Sequence, residues 1–413
     1  MLLMIHRGSR QIGGNCVEVA AEGVRILLDL GIPLDVEDPQ KVELPPTLKL
    51  RAAGKPLLGV VVSHAHQDHY GLWDRLDADT PVYIGGPSLR MLKAARPFTR
   101  TGKLPEKTVT YADGVPFSVG PFTVTPYLVD HSVYDAHAFL VECDGKRVLY
   151  SGDFRTHGRK RGALSRLLMR CPKPVDVLLC EGTTVGRKAE GRAAKTEYDL
   201  ESEVEKMIRE TKGIVLVSFS ALNIDRFVTF YRASSHTSRL FLADVYLAEL
   251  LLAAGNPKLP DPRRGTMGIF LPARMKSKII REGNAKVASK YRPHRIFPEE
   301  LRDYPRPLVM AFRDSMQKDL ERAECLADGT LVYSYWPGYL ERGRTDPRDW
   351  CKKHGLRFEL LHVSGHADPE TLNRLIAGVQ PRRLVPIHTE VPEYFLNRYR
   401  MTEAWADGEE HTV

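Results

Sequence analysis

Three features that mark common protein classes are missing from this sequence of 413 residues. Its six cysteines are scattered without paired short spacings, which excludes a disulfide framework and a thiolate zinc finger. No run of about 18 or more apolar residues occurs, so no membrane-spanning helix is predicted. The first residues lack the charged start and apolar run of a signal peptide. We therefore expect a cytoplasmic protein with reduced thiols and no membrane partner.

The composition is that of an ordinary globular protein with a modest excess of positive charge. Hydrophobic residues make up 43% of the chain and charged residues 27%, and the net charge is +8. Such an excess is compatible with a polyanionic partner, of which nucleic acid is the commonest.

The order of secondary structure predicts an α/β fold. The first third is dense in short strands, among them Leu57–Val62 and Phe122–Val129, separated by Gly, Pro and Asp turn signals. From about Thr196, which can cap a helix, helices and strands alternate in a way that predicts βαβ units and a parallel sheet. Near Arg357 the pattern changes again, to a strand, a helix that begins at Pro369, and a further strand.

A dense group of metal-ligand residues follows the strand Leu57–Val62. Residues two apart in an extended chain point the same way, so His64 and His66 can hold one metal ion from one side. Asp68 and His69, just past the strand, can turn toward a second ion. Imidazole nitrogens and carboxylate oxygens suit zinc. Four potential ligands in six positions argue against a plain polar surface loop.

Three further ligand candidates also follow predicted strands. They are His131, Asp153 and His388, and Gly152 lets the backbone turn before Asp153. Any one of them alone would more often be structural, but the shared position favours a two-metal site. Asp29 also ends a strand, and it fits a carboxylate that orients a histidine ligand.

These motifs together resemble the metallo-β-lactamase superfamily, and within it the β-CASP nucleases of the ribonuclease J type. The narrower resemblance rests on an acidic motif, a second histidine motif and a third, which are Leu178–Thr184, His362–Ala367 and Pro386–Glu390. It implies an αββα metallo-β-lactamase sandwich with an inserted α/β β-CASP domain. The expected segments are residues 1–185 and 357–413 for the sandwich and 186–356 for the insertion.

The resemblance also implies the roles of individual residues. One zinc would be held by His64, His66, His131 and Asp153, and the other by Asp68, His69, Asp153 and His388, with Mn²⁺ as a substitute that the same ligands accept. The expected reaction is phosphodiester hydrolysis by a hydroxide shared between two ions. His366 would stabilise the phosphate or protonate the leaving oxygen, and Asp68 and Glu181 complete the catalytic set. Ser364, Gly365 and Ser132 are the candidate substrate-binding residues.

The histidine of the last motif favours RNA over DNA as the substrate, because DNA-specific branches of the family tend to lack it. Single-stranded RNA is therefore the expected partner, and the resemblance leaves a homodimer open. Two basic segments could contact phosphates: Arg155, Arg159, Lys160, Arg161 and Arg166, and then Arg187, Lys188, Arg192 and Lys195.

The sequence leaves three other functions open. A DNA nuclease of the same fold would share the metal ligands. A small-molecule lactonase or thioesterase would share the first histidine motif but would need neither the long insertion nor His366. A catalytically silent RNA-binding protein would have no need of the complete ligand set.

Overall fold

A computed structural model describes residues 1–34, 36, 38–50, 55–99, 102–186, 194–341 and 346–413. In chain order its strands are β1 (Leu2–Arg7), β2 (Cys16–Ala21), β3 (Val24–Leu28), β4 (Leu57–Val62), β5 (Val82–Gly85), β6 (Thr108–Tyr111), β7 (Phe117–Val119), β8 (Phe122–Val129), β9 (Ala136–Cys143), β10 (Lys146–Tyr150), β11 (Val177–Glu181), β12 (Val215–Ser218), β13 (Leu240–Asp244), β14 (Gly268–Phe270), β15 (Leu308–Ala311), β16 (Thr330–Tyr333), β17 (Arg357–Leu360), β18 (Arg383–Ile387) and β19 (Glu410–Thr412).

The α-helices alternate with these strands, most densely after residue 195. They are α1 (Gln67–Tyr70), α2 (Gly86–Ala95), α3 (Ala163–Arg170), α4 (Glu197–Glu210), α5 (Ile224–His236), α6 (Val245–Ala254), α7 (Ala273–Arg281), α8 (Ala285–Lys290), α9 (Gln317–Arg322), α10 (Gly338–Glu341), α11 (Arg348–Lys353), α12 (Pro369–Val379) and α13 (Glu393–Leu396). None of the helices formed by the described residues has the length and hydropathy that crossing a bilayer requires.

The chain divides into two compact units. The first comprises Met1–Leu89, Thr101–Ala194 and Gly365–Val413, and the second comprises Arg90–Arg100 and Lys195–Ser364. Each has its own sheet system and its own buried apolar cluster.

Two sheets form the sandwich of the first unit. Their strand orders are β19-β1-β2-β3-β4-β5-β6 and β18-β11-β10-β9-β8-β7. A buried cluster contains residues of both sheets, such as Val19 and Ile26 from one and Phe139 and Leu179 from the other. Apolar side chains of α3 and α12 pack on the other face of the second sheet, beside Val129. The predicted α/β class and sandwich fold are confirmed.

The second unit is built on one parallel sheet, with the strand order β14-β13-β15-β12-β16-β17. The predicted βαβ pattern is therefore confirmed. So is the start of α4, where Thr196 accepts a hydrogen bond from Asp199 N at 3.1 Å and a capping box forms.

The strand after Arg357 differs from the expectation. The expected segments include it in the returning part of the sandwich, but β17 pairs with β16 in the parallel sheet of the second unit. The sequence of a short strand does not show which sheet the strand joins, because its pairing partner lies far away in the chain. The division of the chain into residues 1–185, 186–356 and 357–413 stays a prediction.

Candidate metal centre

The candidate metal ligands leave one edge of the sandwich, where strands end. Because β10, β11 and β18 are parallel neighbours, their carboxyl ends meet at the same edge. Asp153, Glu181 and His388 stand at or just beyond these ends. β4 and β8 deliver the first histidine motif and His131 in the same way.

Unusual backbone angles aim several of these side chains. Gly152 has φ of 53°, and a Cβ there would lie 2.8 Å from the carbonyl oxygen of His137, so glycine is required before Asp153. Asp29 and His388 adopt left-handed φ values of 61° and 51°. A non-glycine residue pays about 1–3 kcal/mol for such a conformation, which is typical of functional sites.

Three imidazoles form the first ligand group. His66 Nδ1 lies 3.1 Å from His64 Nε2 and 3.1 Å from His131 Nε2. The His64 and His131 side chains are buried. These three rings therefore direct nitrogens at one small volume.

The second ligand group combines two carboxylates and two imidazoles. His69 Nε2 lies 3.1 Å from Asp153 Oδ2 and 3.7 Å from Asp68 Oδ2. His388 Nε2 lies 3.4 Å from Asp68 Oδ2. The ligand atoms of all four residues lie within 4.8 Å of one another.

Hydrogen bonds on the far side of the first-group rings fix their tautomers. His131 Nδ1 lies 2.6 Å from the carbonyl oxygen of Gly365 and must donate to it, because a carbonyl only accepts. Ser63 Oγ donates to Asp29 Oδ2 at 2.7 Å, so it accepts from His64 Nδ1 at 3.0 Å. Both rings, when neutral, then carry a bare lone pair on Nε2, the atom that faces His66.

Hydrogen bonds to Nδ1 fix the tautomers of the second-group rings in the same way. His69 Nδ1 donates to Asp29 Oδ2 at 2.7 Å. Thr183 Oγ1 donates to Glu181 Oε2 at 2.7 Å and therefore accepts from His388 Nδ1 at 2.8 Å. When both rings are neutral, their Nε2 lone pairs face carboxylate oxygens, which are also acceptors. A metal ion between the facing acceptors of each group would satisfy them together.

These residues fit the metal ions that such a site implies. Two nitrogens bound to one tetrahedral zinc lie about 3.3 Å apart, given Zn–N bonds of about 2.0–2.1 Å, and the observed separations are 3.1 Å. Asp153 Oδ1 is buried and accepts no hydrogen bond from any described residue. A buried carboxylate oxygen without a donor is costly unless a cation binds it.

Burial keeps the first group neutral, which is the form that binds metal. It lowers the pKa of His64 and His131 well below the ordinary value and that of His66 to about 4. Burial also lowers the pKa of His69, but Asp153, Asp68 and Asp29 outweigh it, so the net shift is upward.

The metal-free protein is therefore expected to lose stability as the pH falls from about 6.5 to about 4. The pKa of histidines in an unfolded chain is about 6.5. Below that pH the unfolded chain therefore binds protons that His64, His66 and His131 do not bind in the folded protein, and this favours unfolding. His69 is protonated in both states there and adds no slope. Thermal unfolding of EDTA-treated protein across this range measures the effect, and a Tm that stays constant or rises on acidification contradicts it.

His366 and Glu181 lie beside the second ligand group. His366 Nδ1 is 3.1 Å from Glu181 Oε2 and 3.7 Å from Asp153 Oδ2. Glu181 is buried, and its other oxygen accepts a hydrogen bond from Phe154 N at 2.7 Å. The His366 side chain keeps 23% of its surface exposed, whereas His64, His69, His131 and His388 are buried. Burial lowers its pKa, but Glu181 and Asp153 outweigh this and raise it above the ordinary value.

Two of the candidate substrate-binding residues, Ser132 and Gly365, lie beside His131. Ser132 Oγ lies 3.4 Å from His131 Nε2. Gly365 packs so closely on Ser132 that a Cβ there would lie 2.5 Å from Ser132 Oγ. Ser364 is the last residue of the second unit, and its role in phosphate binding stays a prediction.

Thr183 is a site residue to which the sequence analysis gave no role. Its hydroxyl joins Glu181 to His388, and removing it leaves His388 Nδ1 without its acceptor. Thr183→Val is expected to weaken metal affinity by about 10–100-fold, the usual effect of losing a residue that orients a ligand. Thr183→Ser keeps the hydroxyl and should bind metal as the wild type does. Competition with a chromophoric chelator measures both variants, and equal affinities of the valine and serine variants contradict this role.

The hydrogen-bond network around Asp29 is larger than the sequence predicts. The prediction that Asp29 orients a histidine remains a prediction of role, and its geometry fits. Beyond His69, its carboxylate accepts hydrogen bonds from Ser63 N at 2.6 Å and Tyr150 Oη at 2.6 Å. Nothing in the spacing of Ser63 or Tyr150 distinguishes them from ordinary core residues.

The structure corrects one member of the first basic segment. Arg155 was grouped with possible phosphate contacts, but its side chain is buried, with Nε 3.2 Å from Asp130 Oδ1. It links the segment before His131 to the segment after Asp153 and is not available to substrate. In the second basic segment Arg187, Lys188 and Arg192 lie outside the described residues.

Two family models match the chain. A β-lactamase superfamily domain matches residues 25–209, and a Zn-dependent metallo-hydrolase RNA specificity domain matches residues 355–393. The matched ranges contain every candidate metal ligand described above.

Curated relatives cover most of the chain. Ribonuclease J of Sinorhizobium meliloti is 25% identical over 391 residues, which is 88% of this chain and 64% of that protein. Ribonuclease J of Mycolicibacterium smegmatis is 26% identical over 408 residues, 92% of this chain and 67% of that protein. The chain thus spans about two thirds of the length of these relatives.

A solved structure shares the fold over the whole chain. It is the crystal structure of a protein of unknown function from Enterococcus faecalis V583, with a TM-score of 0.79, 21% identity, and coverage of 100% of this chain and 99% of that one. This likeness supports the fold alone. On the two family models and the relatives, the chain contains a β-lactamase superfamily domain and a Zn-dependent metallo-hydrolase RNA specificity domain, and it is similar to the ribonuclease J proteins.

Proposed function

We propose that this protein is a two-zinc phosphodiesterase that hydrolyses RNA. The observation that carries the proposal is the convergence of lone pairs in two adjacent ligand groups that share the edge of one sandwich. The similarity to ribonuclease J and to a metallo-hydrolase RNA specificity domain supports RNA as the substrate class.

The two ligand groups correspond to two ion positions. His64, His66 and His131 would hold one ion, and Asp68, His69 and His388 the other. Asp153 would serve both, because Oδ2 lies 3.8 Å from His64 Nε2 and 3.1 Å from His69 Nε2, while Oδ1 has no hydrogen-bond donor among the described residues. When bound, two such ions supply Lewis-acid stabilisation of the phosphate and a water of lowered pKa. Mn²⁺ accepts the same ligands.

The protein's own groups would handle the proton. Glu181 accepts from His366 Nδ1, which holds the ring and favours its charged form. A protonated His366 can donate to the leaving oxygen or to a phosphate oxygen. Its partial exposure leaves the ring accessible to a substrate.

The comparison of RNA and DNA tests this function. Metal-loaded protein is incubated with an RNA labelled at either end and with the matching DNA strand, and products are resolved over time. We expect cleavage of the RNA alone, abolished by EDTA, and the product ladder separates endonuclease from exonuclease action. Cleavage of both strands points to a general or DNA nuclease. No cleavage of either strand by fully loaded protein overturns the proposal and favours a small-molecule ester as substrate.

A further inference from the structure

The second unit contains a basic pocket that the proposed reaction does not use. Its cavity has a volume of about 560 Å³, within the range of small-molecule sites. Four cationic side chains and two aromatic rings line it: Arg274, Lys278, Arg281, Arg313, Phe98 and Tyr246. All six belong to the second unit, whereas every candidate metal ligand belongs to the first.

The pocket lies where parallel α/β sheets bind ligands. Tyr246 comes two residues after β13, Arg313 comes two residues after β15, and α7 follows β14. All of these positions are at carboxyl ends of parallel strands.

The pocket also coincides with a topological switch point. β13 and β15 are neighbours in the sheet. The chain leaves β13 toward β14 on one side and leaves β15 toward β16 on the other. The crevice outside the carboxyl ends of two such strands is the general ligand position in open α/β sheets.

The charge of the pocket is only partly neutralised. Arg313 is paired with Asp244, and Lys278 Nζ lies 3.9 Å from Glu282 and donates to Thr99 O at 3.2 Å. Arg274 and Arg281 are exposed and have no ion-pair partner among the described residues. Positions 274, 278 and 281 recur along one face of α7, so three cations face one direction.

At the amino end of α7, Ala273 N donates a hydrogen bond to Asp319 Oδ2 at 3.0 Å, so this terminus already has an acidic partner. The apolar wall consists of Phe98 and Tyr246, whose ring centroids lie 5.2 Å apart, and Arg313 lies over the Tyr246 ring at 4.8 Å. Guanidinium groups beside aromatic rings suit a ligand with both a phosphate and a planar base.

We infer that this pocket binds the phosphate and base of a nucleotide, at a site separate from the metal centre. The choice of a nucleotide over another aromatic phosphate rests on the proposed function. The evidence that the pocket is a ligand site is its lining, its charge and its position in the sheet, and it does not depend on the proposed function. The nucleotide is either a free mononucleotide or one unit of an RNA strand.

Calorimetric titration of the metal-loaded full chain tests the inference, with AMP, inorganic phosphate and a nuclease-resistant 2′-O-methyl RNA as probes. The variant is the double substitution Arg274→Gln and Arg281→Gln. The matched control is Lys276→Gln, an exposed cation of the same helix that does not line the pocket. Charge-assisted contacts to phosphate predict that the double variant binds AMP at least about tenfold more weakly, and that the control binds as the wild type does.

The RNA probe separates the two sources of nucleotide. A loss of affinity for AMP alone assigns the pocket to a free mononucleotide, and a parallel loss for the RNA analogue assigns it to a strand. Unchanged AMP and RNA binding in the double variant overturns the inference, as does equal wild-type affinity for AMP and inorganic phosphate. These are binding measurements, so a wild-type protein that fails to cleave RNA but binds AMP through Arg274 and Arg281 overturns the proposed function alone.

Discussion

Replacing Asp153 with asparagine is expected to remove metal and activity together. The substitution keeps the size of the side chain but removes its charge, and this carboxylate lies between both ligand groups. Asparagine also offers a single weak acceptor in place of two anionic oxygens. Metal ions contribute several kcal/mol to such a transition state, so hydrolysis should fall by at least about 10³-fold.

The measurement is metal content by plasma mass spectrometry alongside initial rates. Asp176→Asn is the matched control, because Asp176 lies just before β11, at the end opposite to the metal edge, and accepts a hydrogen bond from Arg147 N at 2.8 Å. The control should retain metal and rate. Full zinc occupancy in Asp153→Asn shows that this residue is not a shared ligand.

His366→Ala is expected to keep the metal and lose turnover. Glu181 holds the ring of His366, with Oε2 3.1 Å from Nδ1, and the side chain keeps 23% of its surface exposed. Proton transfer by a positioned side chain contributes about 10²–10⁴-fold to rate, so kcat should fall by that factor while metal content stays at the wild-type value.

The surface variant His236→Ala controls for the loss of an imidazole, since His236 lies on α5 with its side chain 48% exposed and pairs with Glu205. A second readout separates proton transfer from structural damage. A substrate whose leaving group needs no protonation should be cleaved by His366→Ala at close to the wild-type rate. If both substrates lose rate equally, His366 is not the proton donor.

The sequence was sufficient to predict that the candidate ligands lie together, because each of them comes within a few residues after the end of a strand. Strand β4 has the predicted bounds Leu57–Val62, and His64 and His66 extend from it as the two-residue period requires. The helix expected to begin at Pro369 does so, and Asp368 caps it by accepting a hydrogen bond from Thr371 N at 2.8 Å. Local rules apply to these features, since periodicity and capping depend on near neighbours.

Features that depend on long-range packing were not predictable in this way. Thr183 and Tyr150 gain their roles from residues far away in the chain, His388 and Asp29. Arg155 has the composition of a surface cation, and only its pairing with Asp130 in the fold shows that it is buried. The short helix α9, Gln317–Arg322, follows a separate 3-10 segment, Asp314–Met316. Residues at helix ends depend on tertiary contacts more than on propensity.

Anomalous X-ray scattering from zinc-soaked crystals tests the two-metal claim most directly. Data recorded on both sides of the zinc absorption edge locate each ion without assumptions about activity. We expect two peaks, one beside His64, His66 and His131 and one beside Asp68, His69 and His388, with Asp153 between them. A single peak, or zinc bound elsewhere with this cluster empty, would contradict it.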